Sequence, residues 1–320
     1  MEIKGKSIIL IIPYFGKWPV WFNAYLKSIE ANQTINWLIP TDCNIPEKYP
    51  KNIEFIKMSF HEINAMFNEK LGFDVALNYR KFCDLKPTYG HVFGEEIKDY
   101  DFWGFCDMDI IWGNVRKYMT SSVLNNYDII SSRKSAISGH FNLFRNNKKL
   151  KFLYLQVPKY KELLSTNVLT RFDENLLTEV VKKNDTKRVF WDEILCNHER
   201  GRDSHQEYYI NKRIWKNGGV YQVDENNTLD EVMYLHFINW KRTMTHCDLI
   251  ESHTDSFYIS YNRIHLAKQS NAIVFLNSVK NIFNGYWIKE SRRINASKRK
   301  SLIKRIKRKL IKIITSSNEN

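Results

Sequence analysis

Through its first 130 residues the chain alternates short apolar runs with amphipathic stretches. "SIILIIPYFG", from Ser7, predicts a buried strand ending in a turn, and "VWFNAYLKSIEAN" sets Trp21, Phe22, Tyr25, Leu26 and Ile29 at helical spacing. "NWLIPTD" and "NIEFIKMSF" predict two more strands, "HEINAMFNEKLGF" a helix, and "YRKFCDLKPTYGHVFGEEI" a polar loop leading into a helix. "DFWGFCDMDII" predicts the next strand, "GNVRKYMTSSVLNN" a helix and "YDIISS" a further strand. Such alternation favours a mainly parallel sheet wrapped by helices, with the ligand site at the carboxyl ends of the strands. Beyond residue 130 the pattern loosens: "SGHFNLFRNN" predicts a strand and turn, 147–200 a largely helical region, "VMYLHFINWKR" a short strand turning basic, and 256–290 helix.

A chain of 320 residues that is 43% hydrophobic is long enough to bury a proper core. The early run "SIILII" is short and closed by Pro13, and no later stretch approaches a membrane span, so the expected location is the cytoplasm. Cys43, Cys83, Cys106, Cys196 and Cys247 are scattered, odd in number and without a C-x-x-C pair, which argues against a disulfide framework or a structural zinc site. The formal charge is +14, but Lys289 to Lys312 holds twelve Lys or Arg against one Glu. The body is therefore close to neutral.

Within "FWGFCDMDIIWGN", Asp107 and Asp109 interrupt an otherwise aromatic and aliphatic run. Ionised carboxylates in such surroundings are costly unless a cation compensates them. In an extended strand residues i and i+2 share a side, so the pair is expected to converge on one ion. Hard oxygen ligands suit Mg²⁺ or Mn²⁺, with positions left for phosphate oxygens; strand-end carboxylates paired with Arg or Lys are the other reading. "DYD" at Asp99–Asp101 has the same spacing but lies in a charged turn.

The series "IIPYFGKWP", "IPTD", "KFCDLKPTYG", "YDFWGFCDMDIIWG", "GHFNLFRN" and "YLHFINWK", in this order from Ile8 to Lys241, resembles the GT-A-fold, D-x-D-containing glycosyltransferases of bacterial capsule and O-antigen loci, a group often left as a domain of unknown function. The resemblance implies an α/β fold, a GT-A-like mainly parallel but mixed sheet flanked by helices, with a catalytic domain over 1–255 and a C-terminal helical extension over 256–320. It implies a nucleotide-sugar donor, a UDP-sugar first, and Mn²⁺ or Mg²⁺ held by Asp107, Asp109 and His236. Tyr14, Phe15 and Gly16 would line the nucleotide, Thr41 and Asp42 the nucleoside, and Asp84, Lys86, His140 and Lys241 the sugar or diphosphate. "HFINWK" departs from the retaining-family pattern H-x-x-G-x-x-K-P-W in its lysine spacing and lacks the glycine and the proline.

A carboxylate is what an inverting transferase needs to deprotonate the attacking hydroxyl. "RFDE" offers Asp173 and Glu174, and "FWDE" offers Asp192 and Glu193; the first pair is preferred because it stands where the resembling group has F-D-E.

At the C-terminus Leu302, Ile303, Ile306, Leu310, Ile313 and Ile314 recur at helical spacing among Lys and Arg. This pattern predicts a helix lying on an anionic membrane, which suits a glycan or lipid-linked glycan acceptor. Regular Ile and Leu on one face have no use on a phosphate backbone, so nucleic acid is not the expected partner; a solvated, disordered end is the third reading. Two rivals remain: a metal-dependent nucleotidyltransferase, which needs the same carboxylates, and a basic, non-catalytic nucleic-acid-binding protein.

Overall fold

A computed structural model of the chain describes residues 5–183, 188–192, 208–223, 228–236, 240–249 and 254–285, with isolated positions beyond these up to 302. Strand β1 (Ile8–Ile11) is buried on both faces: Ile8 and Leu10 pack into one apolar cluster, Ile9 and Ile11 into another. A strand covered on both sides reads as an unbroken apolar run rather than an alternating one. Helix α1 (Phe22–Glu30) turns Phe22, Tyr25, Leu26 and Ile29 inward, as their spacing predicts. Strands β2 (Ile35–Thr41) and β3 (Ile53–Lys57) follow, then helix α2 (Phe60–Leu71), opened by a reciprocal Ser59–Glu62 capping box.

The stretch expected as a polar loop leading into a helix is helical and buried from Lys81 onward. It forms α3 (Lys81–Leu85), a 3-10 turn over Lys86–Thr88 and α4 (Tyr89–Val92), with Lys81, Asp84 and Lys86 all inside. Strand β4 (Phe102–Cys106) then returns to the sheet, and β5 (Ile110–Trp112) leaves it. Two short helices, α5 (Val115–Tyr118) and α6 (Ser121–Asn126), replace the single one expected. Strands β6 (Ile129–Ser131) and β7 (Phe141–Arg145) lead to α7 (Lys148–Lys151), α8 (Tyr160–Ser165), a π-helical turn at Phe172–Leu176, α9 (Leu177–Lys182) and β8 (Val189–Trp191).

The principal sheet has the order β3-β2-β1-β4-β7-β6-β8. Its first four strands are parallel, Ile8 standing opposite Ile35 on one side and Phe102 on the other. Only β7 runs against its neighbours. The fold is thus α/β, with a mainly parallel, mixed central sheet flanked by helices.

The later chain adds β9 (Arg213–Lys216), β10 (Gly219–Val223), β11 (Leu229–Val232), β12 (Tyr234–His236), β13 (His246–Cys247), β14 (Ser256–Ile259) and β15 (Arg263–His265), and ends in helix α10 (Asn271–Phe283). Six of these strands form a second sheet, β11-β10-β9-β14-β15-β13, which takes strands from both sides of residue 255. Helix expected from residue 256 onward therefore begins only at Asn271. Phe257 and Ile259 are buried while Ser256 and Tyr258 are half-exposed, which is a strand period. Strand β12 pairs antiparallel with β5, setting His236 opposite Ile110. Among the described residues, no helix is long and apolar enough to cross a membrane.

Candidate metal centre

The site lies where β1, β2 and β4 end. Asp107 and Asp109 do not sit in one extended strand as expected; they occupy a bend between β4 in the principal sheet and β5 in the ribbon with β12. The indole Nε1 of Trp21 donates to the Met108 carbonyl at 2.8 Å, and the Asp107 amide donates to the His140 carbonyl at 3.3 Å, which fixes the bend. The two carboxylates converge all the same, because β12 delivers His236 between them. Its Nε2 lies 3.5 Å from Asp109 Oδ1 and 3.9 Å from Asp107 Oδ2. One ligand atom from each of the three lies within 4.8 Å of the others, and two carboxylate oxygens with an imidazole nitrogen are a donor set suited to a divalent ion such as Mn²⁺.

Two lysines neutralise the carboxylates. Lys86, buried under the Phe105 ring, donates to Asp107 Oδ1 and, at 2.6 Å, to the Gly139 carbonyl. Burial alone would depress its ammonium, but Asp107, with Cys83 and Asp173 adding, outweighs that and holds it well above the ordinary lysine range. Lys241 lies 3.0 Å from Asp109 Oδ2. Burial pushes the Asp109 carboxyl up, yet His236 and then Lys241 overcome it and hold it far below the usual carboxylate range. Lys86 and Lys241, expected on the donor, thus lie at the site but rest on the aspartates.

His140 stacks on His236 with ring centroids 4.3 Å apart, and its Nδ1 shares a 2.8 Å hydrogen bond with the Tyr234 hydroxyl, which donates to Ser132 Oγ at 2.6 Å. Burial, reinforced by His236 and Lys86, keeps His140 well below the ordinary histidine range. It is a neutral imidazole.

Asp173 and Glu174 reach the same place from the π-helical turn. A Cβ built on Gly139 would meet Glu174 Oε1 at 2.9 Å and Asp173 Oδ2 at 3.1 Å, so glycine here gives the acidic pair room. Arg133 holds Glu174 at 3.3 Å. Asp173 is 4% exposed, and burial pushes its carboxyl up to about 7, against the pull of Lys86. The pH dependence of stability follows. An unfolded chain ionises this group from about pH 4 upward, whereas the folded chain holds the proton to about pH 7. Stability is therefore lost as pH rises through that window. Asp173→Asn should raise the unfolding free energy measured in urea by roughly 2–4 kcal/mol at pH 8 and leave it unchanged below pH 4; an equal effect at both pH values would exclude the ionised carboxylate as the cause.

Several expectations are corrected. Phe15 is a core residue, stacked on Phe82 and edge-on to Phe60, so it cannot flank a base. Thr41 is fully buried and its Oγ1 accepts from the Cys43 amide, a turn role. Asp42 accepts from the Gly16 amide at 2.6 Å, holding the loop after β1 where Gly16 takes φ +101°. Tyr14 stacks on Trp18, and burial, with Cys43 and Asp109 adding, pushes its phenol up to about 12.

Asp84 does not face a donor at all. It is fully buried, 3.0 Å from Lys81, and accepts from the Thr170 amide and hydroxyl and from the Phe172 amide at 2.8–2.9 Å. Those bonds fix the backbone immediately before Asp173. Lys81, Trp21, Tyr234 and Arg133 are the site's supports that the sequence reading missed; only the i,i+3 spacing of Lys81 and Asp84 announced a pair. Asp192 is half-buried with its amide on the Ser131 carbonyl, and Glu193 lies outside the described residues. Of the tail positions Leu302 is exposed; Ile303, Ile306, Leu310, Ile313 and Ile314 lie outside the described residues.

The structure is similar to the glycosyltransferase GlyE of Streptococcus pneumoniae TIGR4, at 11% identity and TM-score 0.31 over 59% of this chain and 45% of that one. It is similar to the galactosyltransferase LgtC in complex with donor and acceptor sugar analogs, at 14% identity and TM-score 0.37 over 72% and 86%. A third is the bifunctional glycosyltransferase WbbM, at 9% identity and TM-score 0.32 over 58% and 38%. The match thus spans less than half the length of GlyE and of WbbM. Among curated proteins nothing matches the chain. Residues 10–268 match the model of a family of unknown function, DUF6625, and the chain belongs to that family.

Proposed function

We propose that the chain is a metal-dependent glycosyltransferase that moves a sugar from a nucleotide-sugar donor, a UDP-sugar first, to a glycan acceptor in bacterial surface polysaccharide synthesis. The observation that carries this reading is the convergence of Asp107, Asp109 and His236, with the buried Asp173 and the half-buried Glu174 close by across Gly139. Asp107, Asp109 and His236 would hold Mn²⁺ or Mg²⁺, and the bound ion would offset the charge that develops on the departing diphosphate.

The chain's own residues do the rest. Lys86 orients Asp107, and Lys241, with its side chain 44% exposed, is free to turn from Asp109 toward a diphosphate. Tyr14 borders the nucleotide. Asp173 accepts the proton of the attacking hydroxyl if the reaction inverts, and orients that hydroxyl if it retains. The basic C-terminal run suits a lipid-linked acceptor at an anionic membrane.

Thermal unfolding with UDP- and GDP-sugars tests the reading. A donor should raise the melting temperature only when Mn²⁺ is also present, and turnover should release a nucleoside diphosphate. Release of pyrophosphate would identify a nucleotidyltransferase instead.

A further inference from the structure

Helix α10 packs Val274 against the core but carries most of its apolar side chains outward. Its inward side carries Asn277 and Asn281, both buried: Asn281 accepts from the Tyr208 amide at 3.0 Å and Asn277 donates to the Ile273 carbonyl at 2.7 Å. Its outward side exposes Phe275 (68%), Leu276 (59%), Ile282 (63%) and Phe283 (87%). At about 100° per residue, Phe275, Val279, Ile282, Phe283 and Leu276 fall on one arc of roughly 120°, the width of a face that normally packs on a core. Lys280 stands at its edge. Contiguous apolar surface of this kind on a folded protein marks a contact.

Charge decides which. From Ser256 to Lys312 the sole acidic residue is Glu290, against fifteen Lys and Arg. A second copy laid on α10 would bring two such cationic segments together, whereas an anionic bilayer accepts the apolar arc and the charges at once. We infer that α10 is the element that inserts into the headgroup region of an anionic membrane, with Phe275, Leu276, Ile282 and Phe283 entering the acyl boundary and Lys280 reaching back to phosphate. This rests on the reading that the protein works at such a membrane, but it assigns the insertion to α10 rather than to the basic run after it.

The test uses the full chain with phosphatidylglycerol–phosphatidylcholine vesicles and with phosphatidylcholine alone. The wild type should sediment with the anionic vesicles only. F275S/L276S/I282S/F283S should bind at least tenfold more weakly with an unchanged unfolding midpoint, since all four side chains are exposed, and F275W emission should shift to the blue on adding the anionic vesicles. Equal binding by wild type and quadruple variant would overturn the role of α10 while leaving a membrane partner in place. No sedimentation by either would overturn both. A wild-type dimer that the four substitutions make monomeric, with no vesicle binding, would show that a second copy covers the face.

Discussion

Asp109→Asn is expected to remove Mn²⁺ binding and to lower metal-dependent turnover by about 10³-fold, the scale of several kcal/mol that a cation contributes to a developing charge. The side chain is buried and its oxygens lie 3.5 Å from His236 and 3.0 Å from Lys241. An amide there offers one acceptor and no charge. Because the Lys241 side chain is 44% exposed, its ammonium can turn to water when the carboxylate is lost, so the fold should hold. Titration calorimetry with Mn²⁺ and donor hydrolysis measure the effect; circular dichroism checks the fold. Turnover within threefold of wild type would remove the two aspartates and His236 from the chemistry.

Asp84→Ala is expected to cost about 3–5 kcal/mol of stability, the usual penalty for stranding one member of a buried ion pair. Both partners are fully enclosed, and without the carboxylate the Lys81 ammonium keeps only the Leu163 and Val168 carbonyls. The bonds to Thr170 and Phe172 disappear as well, so Asp173 should lose its position and residual activity should fall further than stability alone explains. Lys81→Met combined with Asp84→Leu should recover much of the stability and little of the activity. Urea midpoints and turnover for the three proteins decide it; a loss below 1 kcal/mol in the single variant would mean that water reaches the pair.

The contrast between these two aspartates shows what the sequence makes legible. Asp107 and Asp109 stand out because a charge inside an apolar run demands an explanation from its immediate neighbours. Asp84 and Lys81 lie in a stretch rich in polar residue types, which reads as surface, and their burial depends on a loop more than eighty residues further on. His236 is similar: as a lone histidine on an apolar strand it is unremarkable until β12 is seen against β5. Resemblance to a family could place it; local pattern could not.

Secondary structure divides in the same way. Strands β1, β2 and β4 are covered on both faces and so stand as continuous apolar blocks between turn residues. Strands β14 and β15 hide only Phe257, Ile259, Ile264 and His265 in a segment interrupted by Ser260, Asn262 and Arg263, and the apolar helix that follows pulls the reading toward its own period. Phe15 follows β1 and Thr41 closes β2, but a position at a strand end says nothing of which way a side chain turns. Phe15 goes into the core, while its neighbour Tyr14 stacks on Trp18.

Because the imidazole comes from β12 and the two carboxylates from the bend before β5, an isolated front half of the molecule would retain its acidic residues and yet grip an ion poorly. Loading with a divalent cation is thereby a gauge of assembly: it reports whether β12 has docked against β5.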